Sequence, residues 1–226
     1  MNNRIIIVIV FLSSLMLQSC FEIREIVKFN KDGSGTFTMT IDMSEVKQML
    51  AGFGGSEEIE SSSPFQNMET ESAATMKRLR ETDGLSNINF ISENDGYVII
   101  TSFDFSDIDA LNRGMDVVYD NESEYEGTPD YYKFRRRKFE RTSSHNFLDK
   151  VKKEFTTEDM ATEGMDLSAL FADVVYVNKI IFEGKKIKKV RSGHPELSEN
   201  GSMATNRYLI FNEENEQSLD FKLRVK

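Results

Sequence analysis

The stretch NKDGSGTFTMTI, Asn30 to Ile41, decides the fold. Asn30, Asp32, Ser34 and Gly35 stand where a calcium-binding helix–loop–helix motif has its first three oxygen ligands and its invariant glycine. The twelfth position is Ile41, which cannot supply the closing bidentate carboxylate. The flanks settle the matter. After the turn, Phe37, Met39, Ile41 and Met43 alternate with Thr36, Thr38, Thr40 and Asp42. That is a period of two, rich in aromatic and β-branched residues, and it predicts a half-buried strand. Before the turn, Ile23, Val27 and Phe29 share one parity, which Glu25 interrupts. Asp32-Gly33-Ser34-Gly35 is therefore read as the turn of a β-hairpin, with glycine supplying the positive φ such turns require.

Outward from that hairpin the pattern repeats. INFIS and YVIITSFDF flank Glu93-Asn94-Asp95-Gly96 and predict a second hairpin. Asp42 or Ser44 is read as the cap of a short helix carrying Val46, Met49 and Leu50. Phe65, Met68, Met76 and Leu79 fall on one helical face. Ser106 is read as the cap of a helix that turns Ile108, Leu111 and Met115 inward. Phe147, Leu148, Val151 and Phe155 form another helical stripe, and Asp166 is placed as the cap of LSALFA. Residues 51–63, AGFGGSEEIESSS, read as a flexible loop. Tyr131 to Arg141 reads as one strand with a bulge, because Phe134 and Phe139 have opposite parity. VVYVNKIIFEG reads as a long strand that IKKVRSG continues or bends. RYLIF and SLDFKLRVK read as a closing hairpin, the second with Leu219, Phe221, Leu223 and Val225 on its buried face. The expectation is a single α+β domain over residues 20–226, with a largely antiparallel sheet built from hairpins and several short helices packed on it.

Residues 1–19 read as a signal peptide. Arg4 is its positive start, Ile5 to Leu12 its apolar run, and the run is short for a bilayer span. Leu17-Gln18-Ser19-Cys20 resembles the lipobox of bacterial lipoproteins. The resemblance implies lipidation of Cys20, the only cysteine of the 226 residues, so no disulfide forms within the chain. Acylation then provides the membrane attachment. Loss of residues 1–19 removes Arg4 and no acid, so the net charge moves from −10 to −11. Such a balance argues against nucleic acid as a partner.

The charge is unevenly spread. Asp104 to Asp130 holds nine acids against Arg113 alone, and Tyr131 to Arg141 holds six basic residues and one acid. KKIKKVR, Lys185 to Arg191, is a second basic stretch. Acidic and basic segments of this kind either pair with each other or face solvent. The functional reading assigns Arg135, Arg136, Arg137 and Lys138 to binding of anionic head groups.

Catalytic signatures are absent from the sequence. His145 and His194 have no second histidine or cysteine at metal-ligand spacing. No nucleophile elbow, phosphate loop or dinucleotide turn is present. Asp120, Glu122 and Glu124 alternate like a divalent-ion site, yet the loop lacks a closing carboxylate in register. No metal or cofactor is expected. The leading expectation is a non-catalytic binding module for a lipid-like or protein partner. The alternative is a hydrolase or other envelope enzyme whose site assembles from dispersed residues.

The order of pieces resembles the LppM-type domain of bacterial lipoproteins, and the chain is similar to small envelope lipoproteins of Bacteroidetes. The features that carry this are the lipobox cysteine, the immediate hairpin on DGSG, the intervening helices and the strand YVNKIIFEG. The resemblance implies an α+β envelope domain and, for one branch, amphiphile binding. It assigns no binding residue, since this chain ends in a charged strand and has Glu183-Gly184 where the pattern expects Pro-Gly. Phe21-Glu22-Ile23-Arg24 carries no aspartate after Cys20 and no acidic cluster. By the same resemblance the expected location is the bacterial envelope, lipid-anchored on the periplasmic face of the outer membrane.

Overall fold

The first hairpin forms as its sequence dictates. Strand β1 (Glu22–Phe29) pairs antiparallel with β2 (Gly35–Asp42), from Glu22 opposite Asp42 to Phe29 opposite Gly35. Gly33 adopts φ 101° in the turn. Asp32 Oδ1 accepts the Ser34 amide at 3.1 Å and the Ser34 hydroxyl at 2.7 Å. The oxygen groups that suggested a cation loop are thus used by the turn itself, and both flanks are strands. The computed structural model describes residues 21–52, 68–119, 130–142, 174–211 and 219–226.

Helix α1 (Ser44–Gly52) follows, its entry held by the Ser44 amide donating to Asp42 Oδ1 at 3.0 Å, with Val46 buried. It takes in Ala51 and Gly52, which the sequence reading had placed in a loop; the rest of that loop, and Phe65, lie outside the described residues. Helix α2 (Met68–Glu81) buries Met76 and Leu79. Strands β3 (Leu85–Glu93) and β4 (Val98–Phe105) make the second hairpin across a 3-10 turn at Asn94–Gly96. Helix α3 (Ile108–Tyr119) buries Leu111 and Met115, with Ile108 only partly buried. Its cap is Asp107, whose Oδ1 accepts the Ala110 amide at 2.8 Å, rather than Ser106, which donates its hydroxyl to Asp107. A carboxylate at the N-terminus also suits the helix dipole.

Beyond this point the structure differs from the sequence reading in three places. Tyr131 to Arg141 is a tight hairpin, β5 (Tyr132–Arg135) and β6 (Lys138–Arg141), not a bulged strand. Arg136 takes φ 58° in its turn. Reversal of the chain sets Phe134 directly opposite Phe139, which puts both rings on one face and removes the parity conflict. The strand β7 (Val175–Phe182) does not run on into IKKVRSG. Gly184 turns the chain with φ 66°, and β8 (Ile187–Ser192) belongs to another sheet. The closing segments do not form a hairpin. Strand β10 (Met203–Leu209) pairs with β7 and with the short β9 (Glu196–Leu197), whereas β11 (Phe221–Val225) lies between β6 and β8. Alternation in β11 fixes which face is buried, as Leu219, Phe221, Leu223 and Val225 show, but says nothing of its neighbours. The expected stripe at Phe147 to Phe155 and the cap at Asp166 lie outside the described residues.

The architecture is α+β with two sheets in place of one. The seven-stranded sheet has the order β3-β4-β2-β1-β7-β10-β9, and β1–β7 is a parallel pair within an otherwise antiparallel ladder. The four-stranded sheet has the order β5-β6-β11-β8 and is antiparallel throughout. Phe29 of the large sheet meets Phe139 edge-on at 5.4 Å and Phe134 at 6.1 Å, and Phe139 meets Phe182 at 5.1 Å. Beside this aromatic seam, Phe37 and Phe103 stack at 4.8 Å on the half of the sheet that α3 covers. Each ring contributes about 2 kcal/mol by leaving water, with up to about 1 kcal/mol more for a well-placed aromatic pair.

Candidate functional site: a buried carboxylate cluster and a basic sheet face

Two groups of polar residues stand out from this core. The first is centred on Glu25, at an inward position of β1 and fully buried. Its carboxylate accepts hydrogen bonds from the hydroxyls of Tyr119, Tyr132 and Tyr176. Asn178 donates to Oε1 at 2.6 Å, and Arg141 Nη2 approaches Oε2 at 3.3 Å. Arg141 also donates to the Tyr132 and Tyr176 hydroxyls at 3.3 and 3.2 Å. Asn112 of α3 clamps the backbone of Tyr132, donating to its carbonyl at 3.0 Å and accepting its amide at 2.9 Å. The cluster therefore joins β1 and β7 of one sheet, β5 and β6 of the other, and α3.

Its electrostatics follow from burial. Loss of water raises the phenol pKa of Tyr119, Tyr132 and Tyr176 well above the ordinary value, and the neighbouring Glu25 charge raises it further. For Arg141, burial works against the charged form, and Glu25 with the tyrosines more than offsets it, so the guanidinium stays protonated. Both carboxylate oxygens are committed to donors inside the protein. Asn178 Oδ1 and Arg113 Nε are the buried side-chain polar atoms left without a partner among the described residues. As arranged, the cluster is a latch between layers: both oxygens of the Glu25 carboxylate are held by protein donors.

The second group lies on the outer face of the small sheet. Strand register sets Arg135 opposite Lys138, Lys138 opposite Arg224, and Arg224 opposite Lys189. Directly paired residues share a face, so these four cations form one row across all four strands. All four are exposed, and none makes an ion pair among the described residues. The adjacent row is mixed. There Lys133 and Lys222 both pair in register with Glu140, and Lys222 reaches it at 3.1 Å while Lys133 binds Asp130 at 2.8 Å. The inward face of the same strands holds Tyr132, Phe139, Phe221 and Leu223. Lys185 lies on the other side of the hairpin from this row, its ammonium 4.9 Å from the centre of the inward-facing Phe134 ring.

Of the residues singled out by sequence, Arg135 and Lys138 stand in this row, and Arg136 and Arg137 occupy the exposed turn beside it. Cys20, His145 and the Asp120–Glu122–Glu124 series lie outside the described residues. His194 is exposed on the segment between β8 and β9. No group of three or more histidine, cysteine or acidic residues with metal-binding geometry occurs among the described residues. Sequence reasoning missed Lys189 and Arg224 as partners of the basic turn, because pairing of distant strands brings them there. It also missed the buried cluster, although Glu25 broke an apolar parity and Arg141 sits two residues after Phe139, at an inward position. A charge in a buried register was the available signal.

No protein-family model matches the chain, and no curated protein matches it. Among solved structures, the chain is similar to the NMR structure of the folded domain of LppM from Mycobacterium tuberculosis. The TM-score is 0.41 at 10% sequence identity, over 90% of this chain and 88% of that one.

Proposed function

We propose that this chain is a lipid-anchored envelope lipoprotein that acts as a non-catalytic binding module. Cys20 carries the anchor, and the outer face of the small sheet takes an anionic partner. The observation that supports this reading is the row Arg135–Lys138–Arg224–Lys189. Like charges directly opposite one another on neighbouring strands destabilise a sheet. A chain with net charge −10 has carboxylates enough to interleave with four cations, yet places none in this row. An external anion would relieve the repulsion. The mixed row beside it shows the alternative arrangement, in which Glu140 separates Lys133 from Lys222.

The first test uses the chain without its first twenty residues and phosphatidylglycerol vesicles as the anionic probe. Binding is expected to fade as salt rises, since screening shortens the reach of surface charges. Each basic residue near such a surface is worth about 1 kcal/mol. Replacement of all four row cations by glutamine should then weaken binding by about two orders of magnitude or more. Absence of salt-sensitive binding by the unsubstituted domain would end the reading.

A further inference from the structure

The charges are polarised along β1. At its start, Glu22, Asp42 and Glu93 fall in one transverse row with Val98, and Arg24 pairs with Glu22. At its end sit the turns that carry Lys31, Arg136, Arg137, Lys185 and Lys186, which outnumber the acids there, Asp32 and Glu183, the second of them paired with Lys28. Lys31 lies against Gly184, Lys185 lies over Phe134, and Phe134 packs on Phe29, the last residue of β1. The exposed cation row is level with this end, since it neighbours Phe134 and Phe139, both in contact with Phe29. Cys20 directly precedes Phe21, which is 1% exposed and already part of the core. No tether separates the acylation site from the fold. The eight residues of β1 span about 27 Å at a rise of about 3.4 Å each. That distance is well beyond the screening length of about 8–10 Å in physiological salt.

We propose that the basic end binds in trans: the domain stands off the membrane that holds Cys20 and takes a carboxylate-bearing glycan polymer of the cell wall. The inference rests on the reading above, that Cys20 is acylated and that the cation row binds anions. The anchor adjoins the start of β1 and the cation row lies at its other end, so a domain standing upright on its anchor presents the row away from the anchoring surface. Among the described residues, the basic end exposes no large apolar side chain of the kind that surface-bound proteins sink among acyl chains, and its Phe134 is partly buried. The large apolar side chains exposed among the described residues are Ile91 and Leu197, on β3 and β9 of the other sheet. A row of cations across four paired strands suits an extended polyanion.

The experiment uses the full acylated chain inserted in phosphatidylcholine vesicles, mixed with insoluble peptidoglycan sacculi and sedimented. The vesicles should co-sediment with sacculi. The loss should be at least about tenfold for the variant carrying R135Q, K138Q, K189Q and R224Q, whose folding is verified by its melting midpoint. The same chain is then placed in vesicles containing phosphatidylglycerol, and tryptic cleavage at Arg136 and Arg137 is followed. Cleavage as fast as in neutral vesicles supports binding in trans, and protection means that the tip lies on its own bilayer and overturns it. Capture of protein-free phosphatidylglycerol vesicles in preference to sacculi would overturn the assignment of a wall polymer while leaving anion binding intact. Capture of neither, with the anchor inserted, would overturn the anion-binding reading itself.

Discussion

Glu25 stands where β1 should present an apolar side chain, and the surrounding residues are arranged to make that tolerable. Two separate layers of the protein donate to one carboxylate, so removing the charge leaves Arg141 buried without its counter-ion. Glu25→Gln should therefore cost about 3–5 kcal/mol, measured by denaturant unfolding. Replacing Glu25 and Arg141 together by leucine should cost much less than the sum of the single changes, because no charge is left behind. Additive losses would show that the two act independently. The tyrosines of the same cluster make a second prediction. Their folded pKa values are raised above the unfolded value of about 10. A raised folded pKa gives stability that is complete below the unfolded value and is lost progressively as pH rises from there through the folded value. Above about pH 10 the unfolded chain has shed three protons that the native protein keeps, so stability should fall by about 4 kcal/mol per pH unit from these groups. Ultraviolet titration of phenolate should show three of the seven tyrosines ionising only with unfolding. Ionisation of all seven in the folded state would contradict the cluster.

Among elements, the first hairpin depends on close approach more than on the turn residue alone. A Cβ at Gly35 would come within 1.9 Å of the Lys28 carbonyl oxygen and 2.5 Å of the Phe105 ring, and the first of these is backbone that cannot swing aside. Gly35→Ala should destabilise by about 1–3 kcal/mol or more, seen as a lowered melting midpoint. At Gly33 a Cβ would meet nothing within 4 Å, so its requirement is the positive φ alone. Gly33→Asn should accordingly cost less than Gly35→Ala, because asparagine tolerates that region better than other side chains. The reverse order would show that turn conformation, not packing of β2 between β1 and β4, limits the hairpin.

At the level of the whole molecule, the cation row is a choice between stability and binding. Lys138 lies between Arg135 and Arg224 in register. Lys138→Glu would turn two repulsive pairs into attractive ones, each worth a few tenths of a kcal/mol to about 1 kcal/mol. The melting midpoint should rise by about 2–4 °C for a domain of this size. Binding to anionic vesicles should fall at the same time. A variant that is less stable and still binds would show that the row is held in place for packing and not for a partner.

The sequence by itself determined the local pieces. Period-two alternation in TFTMTIDM and in SLDFKLRVK marked the buried face of each strand, because a strand's two faces are set by its own pleat. The glycines of DGSG marked a turn, and Gly33 takes the positive φ expected there. The basic turn Arg135 to Lys138 was legible as a run of charge. What only the tertiary structure decided was partnership. Alternation in β11 is equally satisfied beside β10 or between β6 and β8, since it specifies a face and not a neighbour. The parity break at Phe134 and Phe139 is equally consistent with a bulge and a hairpin, because either device adds the missing half-period. Hence the second sheet, the row that joins Arg135 and Lys138 to Lys189 and Arg224, and the meeting of Glu25 with Arg141 across 116 residues all lay beyond local pattern. They arise from which strands pair and which layers stack, and those choices are made by the burial of the shared aromatic core and by the need to satisfy each charge enclosed within it.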